Sequence, residues 1–445
     1  MFAYSLVRRA GRYGAYGLGL LAASAFGPVG AAEPAAPTLA IKAGRLVDVV
    51  NGRVLTDQLI VVSGDTIVSV GPAGGATVPA GATIIDLSAS TVMPGFIDTH
   101  THITANPYSG SYEGLADSVP RGAVRGAGNA RTMLLAGFTT VRDVGSAGYA
   151  DVAIRDAIEA GEIIGPRVRA SGPALGITGG HCDNNLLPPE YDDIAEGVAD
   201  GEVAVRKMVR RNVKYGVDHI KFCGTGGVFS KGTQLGAQQF TEAEMKAMID
   251  EAHMHGRKVT VHAHGASGIK AALRSGVDAV EHVSLLDDEG IALARKTGAF
   301  FSMDIYNTEF TQAYGAANGT LEEFLKKDRD IAQVQRDNFR KALKAGVKMT
   351  YGTDAGVYPH KDVAKQFRYM VEYGMTPMQA IQAATINGAT SLGVEKQWGA
   401  LAPGLKADIV AVKADPLTDI SRLEGIDFVM KGGVVYRQDG TVIAR

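Results

Sequence analysis

His100 and His102, spaced two apart, are the first residues in this chain whose type and spacing could do chemistry. On a β-strand that spacing puts both imidazoles on one face. Neutral imidazoles projecting together suit a borderline ion such as Zn²⁺. Alone, the pair is a weak signal, because buried histidines with ordinary hydrogen bonds are common. Further along lie Lys221 in His219-Ile-Lys-Phe222, His262 and His264 in Val261-His-Ala-His-Gly265, His282, and Asp354 in Tyr351-Gly-Thr-Asp354. With His181, in the Gly-rich run Thr178-Gly-Gly-His181-Cys-Asp183, the set holds six of the ten histidines. Each has a plain alternative when taken singly. Lys221 could pair with a carboxylate at a strand end, Asp354 could cap a helix, and His264 could be a satisfied core histidine.

The elements that must position these groups alternate. Strand patterns fall at Val92–His102, Thr139–Val144, Arg167–Ser171, His219–Cys223, Lys258–His264, Ala279–Val283, Ala299–Asp304 and Lys348–Asp354. Helical stretches separate them, among them Thr241–His255 with a capping box at Thr241 and Glu244, and Ser267–Ser275 ending at Gly276. Eight strands alternating with helices predict a closed (β/α)₈ barrel of the TIM type more than a doubly wound open sheet. In such a barrel, groups at the C-terminal ends of the strands meet at one mouth. The first strand ends in His100 and His102, the fourth carries Lys221, and the fifth carries His262 and His264. The sixth carries His282, the eighth Asp354, and His181 sits in the loop after the third. His181, His264 and Tyr306, just past the seventh strand, are candidates for touching a substrate, although an aromatic rim residue usually packs.

Short β-like runs broken by glycine occupy both ends of the chain: Leu39–Ala43, Gln58–Ser63, Thr66–Val70 and Thr83–Leu87, then Asp408–Lys413 and Phe428–Tyr436. They predict one small β-sandwich built from residues 33–92 and 399–445 around a barrel at 93–398. Before it, Arg8, Arg9 and Arg12 precede a small, apolar run and a small-residue stretch, as in a secretory signal peptide over residues 1–32. That run is too poor in strongly apolar residues for a membrane anchor, so the expectation is a periplasmic or secreted protein, soluble after processing. The 445 residues are 46% hydrophobic and 21% charged with a net charge of −2, and no polybasic patch suggests nucleic acid. Export permits a disulfide, but spacing does not fix whether Cys182 and Cys223 pair.

The run Pro94-Gly-Phe-Ile-Asp98, followed by His100 and His102, resembles the PGxxDxHxH opening motif of the amidohydrolase superfamily. Gly399–Asp408, reading G-x-L-x-P-G-x-x-A-D, resembles it as well. The resemblance implies two divalent metal ions, Zn²⁺ by preference, with His100 and His102 on the more buried ion and His262 and His282 on the second. It makes Asp354 both a ligand and the general base, and Lys221 a carbamylated lysine bridging the ions. An ammonium cannot ligate a cation, but a buried lysine with a depressed pKa can be neutral and react with CO₂. A hydroxide between the metals would then attack the scissile carbonyl, and Asp354 would pass its proton to the leaving nitrogen.

Within the superfamily the chain resembles binuclear Xaa-Pro or Xaa-Arg/Lys dipeptidases and ochratoxinase-like carboxypeptidases. The resemblance runs through Thr225-Gly-Gly-Val228, Thr241 to Lys258, Val261 to Gly265, Tyr351 to Gly356 and Met375 to Thr385. It implies a dipeptide, N-acyl amino acid or ochratoxin-like amide with a free carboxylate, and a homo-oligomer. Lys231 could hold that carboxylate or be a solvated loop lysine. A cyclic-amide hydrolase of the imidazolonepropionase type, or a mononuclear deaminase, is the alternative on the same barrel. A deaminase would not need Lys221. A non-catalytic barrel would have lost ligands, and here every expected ligand is present.

Overall fold

The computed structural model describes residues 38–443; the signal-peptide expectation for residues 1–32 lies outside them. Eight parallel strands form the barrel: Phe96–Thr101, Phe138–Asp143, Arg167–Arg169, His219–Cys223, Lys258–Gly265, Ala279–Leu285, Phe300–Ser302 and Met349–Thr350, called here the first to eighth barrel strands. The first, second and fourth are buried at every residue, as expected for parallel strands covered by helices outside and packed side chains inside. Two seams close the ring. Leu175 N–H donates to Lys221 O and Cys223 N–H to Leu175 O, at 2.8 and 2.9 Å, joining the continuation of the third strand to the fourth. Thr99 N–H donates to Tyr351 O at 2.9 Å and Asp354 N–H to His100 O at 2.7 Å, joining the first to the eighth. The barrel is therefore of the TIM type.

The helical expectations rest on visible caps. Thr241 and Glu244 exchange both bonds of a capping box at the start of Glu242–Met254. The helix Ala266–Ser275 stops where Gly276 takes φ 94°. Among the described residues, no helix is long and apolar enough to cross a membrane.

Both ends of the chain build a second sheet. Its strands lie in the order 441–442, 434–438, 428–431, 409–412, 83–94, 38–48, 53–63 and 66–72. The sheet curls until Ile67 N–H donates to Leu405 O and Ala407 N–H to Asp65 O, both at 2.8 Å. Inside this sandwich lie Ile41, Leu46, Ile60, Ile85, Ile409 and Phe428.

Two boundaries differ from the sequence reading. The expected strand Val92–His102 is two strands, because Thr83–Pro94 pairs with Ile409–Val412 and the barrel begins only at Phe96. A Cβ on Gly95 would lie 2.2 Å from Thr139 Oγ1, so the chain turns from sandwich to barrel where a side chain has no room. The junction expected at 92/93 therefore falls at Gly95. The eighth strand is only Met349–Thr350 rather than Lys348–Asp354, since Asp354 takes φ 57° and cannot continue an extended run.

Gly433 tests whether the two chain ends hold one another. It has φ 75°, and a Cβ there would lie 2.0 Å from Gly64 O in the N-terminal hairpin. Gly433→Ala should cost about 1–2 kcal/mol from the left-handed backbone alone, and more from the clash. Denaturant unfolding should show the loss while kcat/KM of the folded fraction stays at the wild-type value; an unchanged midpoint would contradict the closure.

Candidate metal centre

The barrel mouth opens into a cavity of about 480 Å³ whose wall includes His100, His102, Lys221, His262, His282 and Asp354. The six side chains expected to meet do so, and His181 and His264 join them. His100 Nε2 and His102 Nε2 lie 3.2 and 3.3 Å from the same Asp354 oxygen, Oδ1. The ligand-type atoms of these three residues fall within 4.8 Å of one another, and so do those of His262, His264 and His282.

Two observations show that these groups fit cations. His100 Nε2 and His262 Nε2 are buried without a hydrogen bond, a condition that costs about 1–3 kcal/mol per group unless something else occupies the lone pair. The charges agree. Burial opposes a proton on His100, but the Asp354 and Glu281 carboxylates override it and push its pKa up to about 9. Positive charge is wanted at that point. His262 and His264 behave oppositely: burial, then repulsion from neighbouring cationic groups, holds them well below the usual imidazole range. They present neutral lone pairs, the form that ligates a metal.

Lys221 is buried, and burial lowers its pKa against the pull of Glu281 and Asp354. Among the described residues, no carboxylate oxygen lies within 4.0 Å of its Nζ, so the ion-paired alternative is not what the structure adopts. Lys221 is a buried amine in the cavity wall.

Outer partners aim the ligands. Glu281 accepts from His100 Nδ1 at 2.9 Å and from Arg142 at 2.6 Å. Arg142 and His100 hold the Glu281 carboxyl below its usual range although burial raises it. Asp304 accepts from His282 Nδ1 at 2.8 Å and from Asn307 Nδ2 at 2.6 Å, and the same Asn307 nitrogen donates to Asp354 Oδ2 at 3.0 Å. Asp98 accepts from the backbone N–H groups of His100 and Thr353, at 3.0 and 3.1 Å, tying the first and eighth strands together. With Nδ1 engaged, each Nε2 is left for the centre.

Sequence reasoning missed Glu281, Arg142, Asp304 and Asn307. Strand alternation puts Glu281 and His282 on opposite faces. The structure breaks that rule, because His282 and Val283 take φ 67° and 54°, and the pairing register with the fifth strand shifts there. Left-handed backbone at non-glycine residues costs about 1–3 kcal/mol each and gathers at functional sites. Here it falls on two of the expected ligands, His282 and Asp354.

The remaining candidates divide. His181 Nδ1 sits 2.9 Å from Ser230 Oγ, and its ring stacks on His262 with centroids 4.0 Å apart. His264 Nδ1 sits 2.8 Å from Ser284 Oγ. Tyr306 is a correction. It is buried against Phe310 and Tyr358 rather than lining the cavity, because its ring is needed to fill the aromatic cluster under the rim; its neighbour Asn307 is the residue that faces in. Lys231 is exposed and lines the mouth, with Nζ 3.4 Å from the Tyr112 hydroxyl. Cys182 and Cys223, left open by the sequence, are bonded to each other, with Cα atoms 5.8 Å apart.

Comparison with known proteins places this geometry. The chain is 33% identical over 373 residues to an ochratoxinase of Aspergillus niger, covering 78% of this chain and 76% of that one. A crystal structure of a Xaa-Pro dipeptidase with methionine bound in its active site superposes with a TM-score of 0.85 at 36% identity, covering 90% of this chain and 100% of the other. The imidazolonepropionase of Micrococcus luteus is more distant, at 26% identity over 388 residues, 82% of this chain and 89% of that one. The amidohydrolase family model matches residues 91–436, a span that contains both histidine groups, Lys221 and Asp354. The chain belongs to the amidohydrolase family, as a hydrolase acting on amide bonds.

Proposed function

We propose that the protein hydrolyses the amide bond of dipeptides or N-acyl amino acids that carry a free C-terminal carboxylate, ochratoxin-like amides among them. Two divalent ions would serve it, one held by His100, His102 and Asp354 and the other by His262 and His282, with a carbamylated Lys221 between them. The observation that carries the reading is Lys221: a buried amine, unpaired by any described carboxylate, in the wall shared by both histidine groups. When bound, such ions supply an activated water near neutral pH and a Lewis acid for the scissile carbonyl.

The chain's own residues do the rest. Asp354 accepts the proton of the attacking water at a carboxylate oxygen and delivers it to the leaving nitrogen. Asn307, on Oδ2, fixes the plane of that carboxylate for both transfers. His181 Nδ1 lies 2.9 Å from the Ser230 hydroxyl; with Nδ1 accepting there, its Nε2–H would offer a hydrogen bond to the carbonyl oxygen as charge develops. His264 borders the bound amide.

A cavity of about 480 Å³ takes a small molecule. Its apolar wall of Val228, Phe229, Phe310 and Phe324 suits an apolar side chain, and Lys231 at the mouth suits a carboxylate. The likenesses to an ochratoxinase and a Xaa-Pro dipeptidase support this substrate class over the cyclic-amide alternative. The signal-like N-terminus and the disulfide support export.

Lys221→Ala should lower kcat by more than about 100-fold, beyond the 10–100-fold typical of outer metal partners, with the circular dichroism spectrum unchanged; full activity would remove the bridging role and leave a site that works without it. Prolonged chelation should inactivate the enzyme and Zn²⁺ should restore it, whereas an unaltered rate after chelation would end the metal-dependent reading. In a panel of N-acyl amino acids, free acids should turn over faster than their C-terminal amides, and exclusive turnover of cyclic amides would overturn the substrate assignment.

A further inference from the structure

The connection between the third and fourth barrel strands is bonded to the fourth strand at Leu175, but its segment 177–186, which carries His181, makes no described hydrogen bond to a barrel strand. Within residues 177–186, the described hydrogen bonds that cross to the loop after the fourth strand are both made by His181: its N–H to Gln239 Oε1 at 3.0 Å and its Nδ1 with Ser230 Oγ at 2.9 Å. Both partners belong to another loop, between the fourth strand and the helix Glu242–Met254. The other bonds run to residues 193–200 of the same connection or stay within the segment: Thr178 with Asp200, Asn184 with Asp193, Ala195 and Gly179 with Asp183, and Asn185 with Gly180. Hydrogen bonds thus join this segment to the neighbouring loop only through His181, and segments with few ties to the core open most readily.

The covalent tie is at the next residue. Cys182 is bonded to Cys223, the last residue of the fourth strand. Strand alternation turns Cys223 to the same face as Lys221, two residues earlier, and both cysteines line the cavity. The bond therefore lies in the wall of the active site, one residue from His181 and two from Lys221.

We infer that the Cys182–Cys223 disulfide is a positioning device: it locks His181 over the metal centre, and its reduction releases that wall and lowers turnover without unfolding the barrel. The inference rests on the amide-hydrolase reading given above. Reduction is a two-electron step in which an external dithiol supplies two electrons and two protons and leaves as its own disulfide, while Cys182 and Cys223 become thiols. His181 then depends on its backbone bond to Gln239 and its single imidazole bond to Ser230, both in a second loop.

The test compares the wild-type holoenzyme with Cys182→Ser/Cys223→Ser, which breaks the tie without leaving a thiolate beside the metals. Three readouts are taken: kcat/KM on an N-acyl amino acid, metal content, and chymotrypsin cleavage after Leu186, a cavity-lining residue of the loop. The device predicts at least tenfold lower kcat/KM, unchanged metal content, at least tenfold faster cleavage at Leu186, and no further loss when His181→Ala is added. Wild-type activity and wild-type protection in the double variant would overturn it, and so would independent, multiplying losses from His181→Ala. If the variant does not fold, wild-type protein treated with a dithiol well below its melting temperature is cleaved instead; protection at Leu186 in the reduced protein overturns the proposal. Should the wild-type enzyme cleave no amide at all, the functional reading fails, while the cleavage arm still decides whether the disulfide holds the loop.

Discussion

The structure turns on buried imidazole nitrogens that face one cavity and lack a hydrogen-bond partner. His100 Nε2 and His262 Nε2 have no hydrogen bond, and Asp354 Oδ1 faces two imidazole nitrogens at 3.2 and 3.3 Å. Buried polar atoms are nearly always paired, and an arrangement of this kind persists only if its energetic deficit is met by a ligand or by the surrounding fold. The charges agree with a cation there: the Asp354 and Glu281 carboxylates draw His100 toward protonation against its burial, while burial keeps His282 toward the neutral form that can ligate.

That deficit explains why the barrel departs from regularity where it does. His282 and Asp354 adopt left-handed backbone at the strand ends, and the barrel tolerates it because each is held on several sides. His282 is fixed by Asp304, and Asp304 by Asn307 and Gln335. Asp354 is fixed by Asn307 and by its own N–H on His100 O. The sandwich contributes at a distance: Thr83–Pro94, clamped by Ile409–Val412, delivers the chain through Gly95 into the first strand with His100 and His102 in register. Catalytic placement and the joining of the two chain ends share one segment.

Much of this was legible in the sequence because barrel chemistry follows strand order. The period-two spacing of His100 and His102, and the recurrence of polar residues where hydrophobic strands end, marked the mouth without coordinates. Glu281 and Asp304 were not legible for a definite reason. Alternation assigns Glu281 to the face opposite His282, and only the backbone irregularity at His282 turns both toward the centre. Tyr306 failed in the other direction, since its position past the seventh strand is the same for a rim residue and for one packed under the rim; Phe310 and Tyr358 decide between them. The Cys182–Cys223 bond joins residues 41 apart and depends on the path of a loop that has no periodic signal.

The central claim, that these lone pairs and Lys221 exist to hold a pair of ions, is tested most directly by anomalous diffraction at the zinc edge from crystals of the zinc-loaded protein. The account predicts two peaks in each chain, one among His100, His102 and Asp354 and one beside His262 and His282, with carbamate density on Lys221 between them. A single peak beside an unmodified Lys221, or none at either histidine group, would contradict it.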